Sequence, residues 1–184
     1  MQLVRPSAQF LPGYVSALAR GWSADTVRGA AAAAEELAEI RADAAGFLAR
    51  LEDREAQGAP VTLPDGSMVA RLPGFRRWLW DGEFCGSINL RWQRGTHELP
   101  PHCLGHIGFS VVPWKRRMGY ATSALRFMLP EARAVGLEFV ELTTDPDNVA
   151  SQRVIVACGG ELLETFIKPK HYGGQPGLRY RVPT

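Results

Sequence analysis

The sequence has no long hydrophobic run: none of its 184 residues lies in a stretch that approaches the roughly 18 consecutive apolar residues needed to cross a membrane. Its N-terminal segment, MQLVRPSAQF, also lacks the apolar core of a secretion signal. We therefore expect a cytoplasmic protein that makes no contact with a membrane.

The sequence has little excess charge, because 21 Lys and Arg residues face 19 Asp and Glu residues, for a formal net charge of +2. A chain so close to neutrality has no strong overall field that would attract nucleic acid, so a nucleic-acid partner is not expected. Any anion-binding site has to be formed locally.

Cysteine is scarce as well, since only Cys85, Cys103 and Cys158 are present and no CxxC or Cys/His ligand spacing occurs. An odd number without such spacing argues against a disulfide framework and against structural zinc, and we expect no metal. No GxxxxGK[ST] segment is present either, which disfavours nucleoside triphosphate hydrolysis.

The residues that are present suit a single domain, because 46% of them are hydrophobic and the length falls within the usual range. Residues 9 to 57 are predicted to be helical, with an alanine-rich segment over 29 to 45. Ser23 and Asp43 are the predicted N-terminal caps of two helices.

From Phe75 the hydrophobic pattern changes to a period of two, which is typical of strands. Asp81-Gly82 supplies a tight turn, and Ile88, Leu90 and Trp92 follow on one face of the partner strand. The pattern predicts an antiparallel hairpin with one buried side.

The later elements are predicted to be a strand around 107 to 111, a helix from 121 to 135, a strand over 137 to 144, a helix over 148 to 158, and strands over 161 to 167 and 178 to 182. Gly136 is predicted to end the helix from 121 to 135, and Pro130 is predicted to kink or split it. This order indicates a mixed α/β sheet.

The segment FSVVPWKRRMGYA, residues 109 to 121, has the pattern of a strand that runs into the start of a helix. The first turn of a helix offers unpaired N–H donors and the positive end of the helix dipole, which together suit a pyrophosphate. The predicted cradle comprises Arg116, Arg117, Met118, Gly119, Tyr120 and Ala121. Gly119 allows close approach of the backbone, and Pro113 ends the strand. A plain basic, solvated helix start remains the alternative.

Two blocks of this sequence resemble the GNAT acetyltransferase family. Arg116-x-x-Gly119-x-Ala121 resembles the R/Q-x-x-G-x-G/A acetyl-CoA signature, and ELTTDPDNVASQRVIVACGG (141 to 160) resembles the second conserved block. The whole chain is similar to an uncharacterised bacterial subgroup of acetyltransferases. The resemblance implies an α/β fold, a single domain over 1–184 with a helical part at about 1–60 and a coenzyme-binding core at about 75–184. Its sheet is expected to be mixed, mostly antiparallel, and splayed at the acetyl-CoA strand.

The resemblance also implies which residues contact acetyl-CoA, the expected acyl donor. The backbone of Phe109, Val111 and Val112 would pair with the pantetheine arm, and the amides of Arg117 through Thr122 would hold the pyrophosphate. Asn148 and Ser151 match positions that lie against the pantetheine or its thioether. Asn148 has an equally good interpretation as a helix N-cap.

The second block departs from the family pattern at Ile155, where many members carry a tyrosine that protonates the departing thiolate. That general acid is absent here, so catalysis has to depend mainly on positioning and on polarising the thioester carbonyl. His106 and Glu141 are the candidate general bases, with His102 and His97 nearby in sequence. A lone histidine such as His106 more often has a structural role, and the alternative for Glu141 is an exposed strand carboxylate. Tyr172 either borders the acceptor pocket or covers the core.

The leading functional hypothesis is the transfer of an acetyl group from acetyl-CoA to a primary amine of a small molecule or peptide. A noncatalytic acyl-CoA-binding or sensing module is the alternative that Ile155 motivates. A third hypothesis is an interaction domain that self-associates through its alanine-rich helices, and a homodimer is a partner that the sequence allows.

Overall fold

A computed structural model describes residues 1–63 and 65–184. The helices are α1 (Leu11–Ala19), α2 (Ala30–Ala42), α3 (Ala44–Arg50), α4 (Tyr120–Ala134) and α5 (Val149–Val156). The strands are β1 (Gln2–Val4), β2 (Glu52–Asp53), β3 (Val61–Thr62), β4 (Met68–Val69), β5 (Gly74–Trp80), β6 (Phe84–Arg91), β7 (Ile107–Val111), β8 (Phe139–Thr144), β9 (Glu161–Ile167) and β10 (Pro176–Pro183). No helix among the described residues is long and apolar enough to cross a membrane.

The strands form two main sheets with antiparallel pairing throughout. The first has the order β1-β5-β6-β7, with β2 paired to β5, and the second has the order β8-β10-β9. Strand β7 is followed by α4 and then by β8, so β7 and β8 run side by side as the facing strands of the two sheets. The predicted mixed α/β fold, mostly antiparallel and open at β7, is confirmed.

Both faces of the first sheet are covered. On one face Leu79, Ile88 and Leu90 pack in a core with Leu125 and Met128 of α4. On the other face an aromatic cluster joins the sheet to the N-terminal helices; its members include Tyr14, Trp22, Phe47, Trp78 and Phe84. The predicted hairpin of β5 and β6 is present, but the prediction of one buried side is wrong, because the N-terminal helices bury the other side too.

The predicted helix caps have different outcomes. The Asp43 carboxylate accepts the N–H of Gly46 at 2.9 Å, which confirms it as the cap of α3. Ser23 instead accepts the N–H of Asp25 at 3.0 Å in a turn, and α2 begins only at Ala30. Pro130 lies inside an uninterrupted α4, so the predicted split does not occur. A left-handed Gly136 follows the end of α4, as predicted.

Candidate functional site

The connection between β7 and α4 holds a row of free backbone donors. After a short 3₁₀ turn at Pro113–Lys115, Arg117 and Gly119 adopt left-handed conformations with φ of 63° and 76°. Among the described residues no acceptor pairs with the N–H groups of residues 117 to 122, and the first paired amide is that of Ser123, bonded to Gly119 O at 3.0 Å. Alternating left-handed residues and a helix start both direct N–H groups toward one concavity. We call residues 116 to 122 the cradle.

The charges beside the cradle favour an anion. Arg116 and Arg117 are exposed, and neither forms an ion pair with another described residue. Lys115 differs, because its ammonium group is bound by Asp81 at 3.0 Å and by Glu83 at 3.2 Å. A ligand here meets the positive end of the α4 dipole and two guanidinium groups that have no described carboxylate partner. One of them, Arg116, donates from Nε to Val111 O at 3.4 Å.

Asp81, in the turn between β5 and β6, binds side chains at the cradle and next to it. Its carboxylate accepts a hydrogen bond from the Tyr120 hydroxyl at 2.6 Å and bonds from Lys115 Nζ at 3.0 and 3.2 Å. The Tyr120 hydrogen bond is the main reason that the pKa of Asp81 lies far below its usual value. Because Lys115 precedes the cradle and Tyr120 lies within it at the start of α4, the hairpin turn holds the cradle at two points.

Strand β7 turns free backbone groups toward β8. The N–H of Val112 donates to Cys85 O at 3.0 Å, so the Val111–Gly86 pair is a non-hydrogen-bonded pair of the antiparallel ladder. The backbone groups of Val111, and by alternation those of Phe109, therefore point away from β6, where the Val111 carbonyl oxygen accepts a hydrogen bond from Arg116 Nε at 3.4 Å. No described strand pairs with them on that side.

Val112 differs from the other two predicted pantetheine contacts. Its N–H is bound to Cys85, and its carbonyl oxygen accepts the N–H of Lys115 at 3.0 Å. Its side chain is fully buried. Val112 therefore has no free backbone N–H for a ligand, and we remove it from the candidate site.

The two sheets meet at His106 and Glu141. The backbone N–H of His106 donates to Glu141 O at 2.7 Å, and the imidazole Nδ1 accepts the backbone N–H of Glu141 at 2.9 Å. Beyond this junction no ladder joins β7 to β8 among the described residues. The two strands therefore enclose a gap that opens toward the cradle.

The junction leaves His106 unsuited to the predicted role of general base. The ring is completely buried, and burial lowers its pKa to about 4. Because Nδ1 already accepts the Glu141 N–H, the neutral ring carries its proton on Nε2 and has no free lone pair. His106 is a structural link between the sheets.

Glu141 is also unsuited to act as a base. Its carboxylate is bound by Arg181 at 2.8 Å and by Arg179 at 3.0 Å. Burial alone would raise the pKa of Glu141, but the hydrogen bonds from the two arginines outweigh it, and the net pKa is lowered. A carboxylate held by two guanidinium groups accepts a proton poorly.

The second sequence block forms the start of α5. The Asn148 side chain accepts the N–H of Ser151 at 3.1 Å, so the capping interpretation of Asn148 is confirmed. Ile155 is 1% exposed and packs in the main core. The contact of Asn148 and Ser151 with pantetheine stays a prediction.

Comparison of the sequence with models of known protein families identifies the family of this chain. The family model described as acetyltransferase (GNAT) domain matches residues 26–161. The chain belongs to the GNAT acetyltransferase family. No curated protein sequence matches it significantly.

Solved structures share the GNAT fold with this chain at low sequence identity. The microcin C7 self-immunity acetyltransferase MccE, determined with acetyl-CoA and AMP, is 12% identical with a TM-score of 0.60, over 99% of this chain and 91% of MccE. A Vibrio cholerae protein named as a ribosomal-protein-serine acetyltransferase is 15% identical with a TM-score of 0.58, over 100% of this chain and 93% of its own. A Bordetella pertussis protein assigned to the GNAT family is 13% identical with a TM-score of 0.58, over 98% and 93%.

The remaining candidates of this GNAT protein lie away from the cradle. The Tyr172 hydroxyl donates to His102 O at 2.9 Å, so these two residues close a loop. His97 packs against the ring of Phe139, with 5.1 Å between the ring centroids. None of the three forms a described hydrogen bond with a residue of the cradle. Sequence reasoning missed Asp81, which the DG pattern identified only as a turn.

The junction predicts a pH dependence of stability. His106 has an ordinary pKa of about 6.5 when unfolded and about 4 when folded. Between these values only the unfolded chain takes up the proton, so stability falls as the pH is lowered from 7 to 4. The free energy of unfolding is expected to fall by about 3 kcal/mol over this range because of this one residue.

Urea unfolding at several pH values measures this effect. His106→Gln retains an acceptor for the Glu141 N–H but cannot titrate, so its free energy of unfolding should vary less between pH 7 and pH 4.5. Equal pH dependence in both proteins would contradict the role given to His106.

Proposed function

We propose that the protein transfers an acetyl group from acetyl-CoA to a primary amine of a small molecule or peptide. The observation that carries the proposal is the continuous row of unpaired N–H groups at residues 117 to 122 beside a strand with free backbone groups. A diphosphate needs several convergent donors, and an extended pantetheine arm needs amide partners along its length. Among the described residues, the convergent N–H donors and the strand with backbone partners lie next to each other.

In this proposal the amides of Arg117, Met118, Gly119, Tyr120, Ala121 and Thr122 hold the pyrophosphate, with Arg116 and Arg117 adding charge. The backbone groups of Phe109 and Val111 hold the pantetheine arm, and Asn148 and Ser151 lie at its other side. Acetyl-CoA supplies the activated acyl group.

The mechanism that fits these residues is direct attack by the amine on the thioester. Ile155 cannot donate a proton, so the coenzyme thiolate departs without a general acid at that position. His106 and Glu141 are engaged elsewhere, so the attacking amine passes its proton to a water molecule. Rate enhancement then comes chiefly from orientation and from backbone N–H groups that polarise the carbonyl.

A noncatalytic acyl-CoA-binding module is the second candidate function. It is favoured by the same three side chains, because none of Ile155, His106 and Glu141 can move a proton at the gap. The third hypothesis, self-association through the alanine-rich N-terminal helices, has weaker support, since Ala32, Ala33 and Ile40 of the alanine-rich helix α2 are already buried within the protein.

Two measurements separate the first two candidates. Isothermal titration with acetyl-CoA should show saturable 1:1 binding, and absence of binding at high micromolar protein would rule out both. Thiol release from acetyl-CoA against a panel of primary amines should then exceed the amine-free rate. Binding without amine-dependent release would favour the noncatalytic module.

A further inference from the structure

Polar side chains line one face of strands β6 and β7 beside the gap. Asn89 lies opposite Arg76 on one side and opposite Gly108 on the other, and Ser87 lies opposite Ser110. Cross-strand neighbours share a face of a sheet. Arg76 reaches Tyr14 of α1, so this is the face on which the N-terminal helices pack farther along.

These side chains have few partners within the protein. Those of Ser87, Asn89 and Ser110 make no hydrogen bond to any described residue. Arg91, also on β6, donates from Nε to Gly105 O at 2.9 Å, while its other guanidinium N–H groups have no described acceptor. No described carboxylate forms an ion pair with Arg91, whereas Arg77 pairs with Glu52 at 2.7 Å.

The unsatisfied groups converge over Gly108. A Cβ atom placed on Gly108 would lie 3.0 Å from Asn89 Oδ1 and 4.0 Å from Arg91 Nη2. Both head groups therefore lie over bare backbone. Gly108 directly precedes Phe109, whose backbone groups face the gap that we assign to the acyl arm.

A half-buried guanidinium without an ionic partner is costly unless a ligand supplies one. Its planar fork matches the paired oxygens of a carboxylate or phosphate. The neighbouring serine hydroxyls and the asparagine amide can donate to the same oxygens or orient the rest of the ligand. Glu141, on the adjoining sheet, is already bound by Arg179 and Arg181 and leaves Arg91 unneutralised.

We propose that Arg91 and Asn89, over Gly108, bind an anionic carboxylate or phosphate group of the amine acceptor. The inference rests on the proposed function, because it places the acceptor beside the acyl arm. It makes Arg91 a specificity-determining residue: amines that carry an anionic group near the amine are preferred over their neutral counterparts.

The first test measures anion binding to the coenzyme-saturated protein, in which CoA occupies the cradle. Sodium phosphate and sodium acetate are titrated separately into ¹⁵N-labelled protein, with sodium chloride as the ionic-strength control. We expect saturable shifts of the Asn89, Gly108 and Ser110 amides. In Arg91→Gln the binding should be at least about tenfold weaker, and Arg91→Lys should restore part of it.

Arg94→Gln is the matched control. Arg94 lies three residues after Arg91 in the sequence and pairs with Glu55 at the surface. The change therefore removes the same charge at a position outside the proposed anion site. It should leave anion binding unchanged. Equal binding in wild type and Arg91→Gln, or equal loss in Arg94→Gln, would overturn the proposal.

The second test compares matched acceptors in the thiol-release assay: glycine with glycinamide, β-alanine with β-alaninamide, and phosphoethanolamine with ethanolamine. The first two pairs report carboxylate recognition and the third reports phosphate recognition. We expect the anionic member of at least one pair to have the higher kcat/KM, by about tenfold, and this preference to disappear in Arg91→Gln. A preference for the neutral members would overturn the inference while leaving acetyl transfer intact, and a failure of CoA to bind would instead remove the proposed function.

Discussion

Gly119→Val is expected to abolish coenzyme binding while the fold remains. Gly119 has a φ of 76°, a left-handed conformation that a β-branched residue rarely adopts, so the valine would force the cradle backbone to rearrange. The row of free amides would then no longer converge. We expect the dissociation constant for CoA to rise at least about 100-fold, or about 3 kcal/mol.

Isothermal titration with CoA checks this result, and far-ultraviolet circular dichroism checks the fold. Apart from its own chain neighbours, no described residue has an atom within 4 Å of a Cβ placed on Gly119, so the side chain meets no obstacle among them. Gly136→Val is the matched control: it places the same residue at a left-handed glycine, with φ of 92° and open space, just beyond the other end of α4.

The control should cost similar stability and leave CoA binding unchanged. Arg117→Ala should weaken binding less than Gly119→Val, because the backbone donors remain. Tight CoA binding by Gly119→Val would show that the coenzyme does not use the cradle.

Gly86→Ala is expected to have the largest effect on stability. A Cβ on Gly86 would lie 2.3 Å from Ser110 O and 2.9 Å from Val111 Cα. Both obstacles are backbone atoms of β7, so the strand itself has to move. We expect the free energy of unfolding to fall by about 3 kcal/mol.

Urea unfolding measures this loss. Gly108→Ala, in the neighbouring strand, is the comparison, because its added Cβ would meet the side-chain oxygen of Asn89 at 3.0 Å, which can rotate away. It should cost clearly less. Since Val111 would shift in Gly86→Ala, CoA binding should weaken as well. Equal stability of the two variants would contradict the close approach of β6 to β7.

Sequence patterns predicted the features that depend on local chemistry. The period-two pattern identified β5 and β6, because alternating burial depends only on neighbouring residues in one strand. The caps Asp43 and Asn148 and the end of α4 at Gly136 depend on contacts within a few residues. The cradle is equally local, since Arg116 to Thr122 form one turn and one helix start.

The predictions that were wrong concern contacts between segments that are far apart in the sequence. The hairpin is buried on its second face because α1 brings Tyr14, 64 residues earlier in the chain, onto Trp78, with 4.7 Å between ring centroids. His106 and Glu141 were chosen as bases for their residue types. Their partners come from other strands, and no period in the sequence reveals such pairs.

Two residues of the site gave little signal of their own. Asp81 was predicted only as part of a turn, since its bond to Tyr120 joins residues 39 apart. Arg91 lies between Leu90 and Trp92 in the predicted partner strand, and its position there carried no prediction of a function. Its lack of an ionic partner becomes visible when the charges of the assembled sheet are paired, and several other arginines of the chain do find carboxylates.

The Asp81 contacts determine when the cradle becomes ordered. With Tyr120 and Lys115 both bound to one turn of the hairpin, the backbone between them is fixed once the sheet has folded. The loss of conformational entropy in this loop then belongs to folding, and a ligand that arrives later does not bear it again. Association should consequently resemble docking onto a rigid surface, with a rate set by diffusion and by the charges of Arg116 and Arg117.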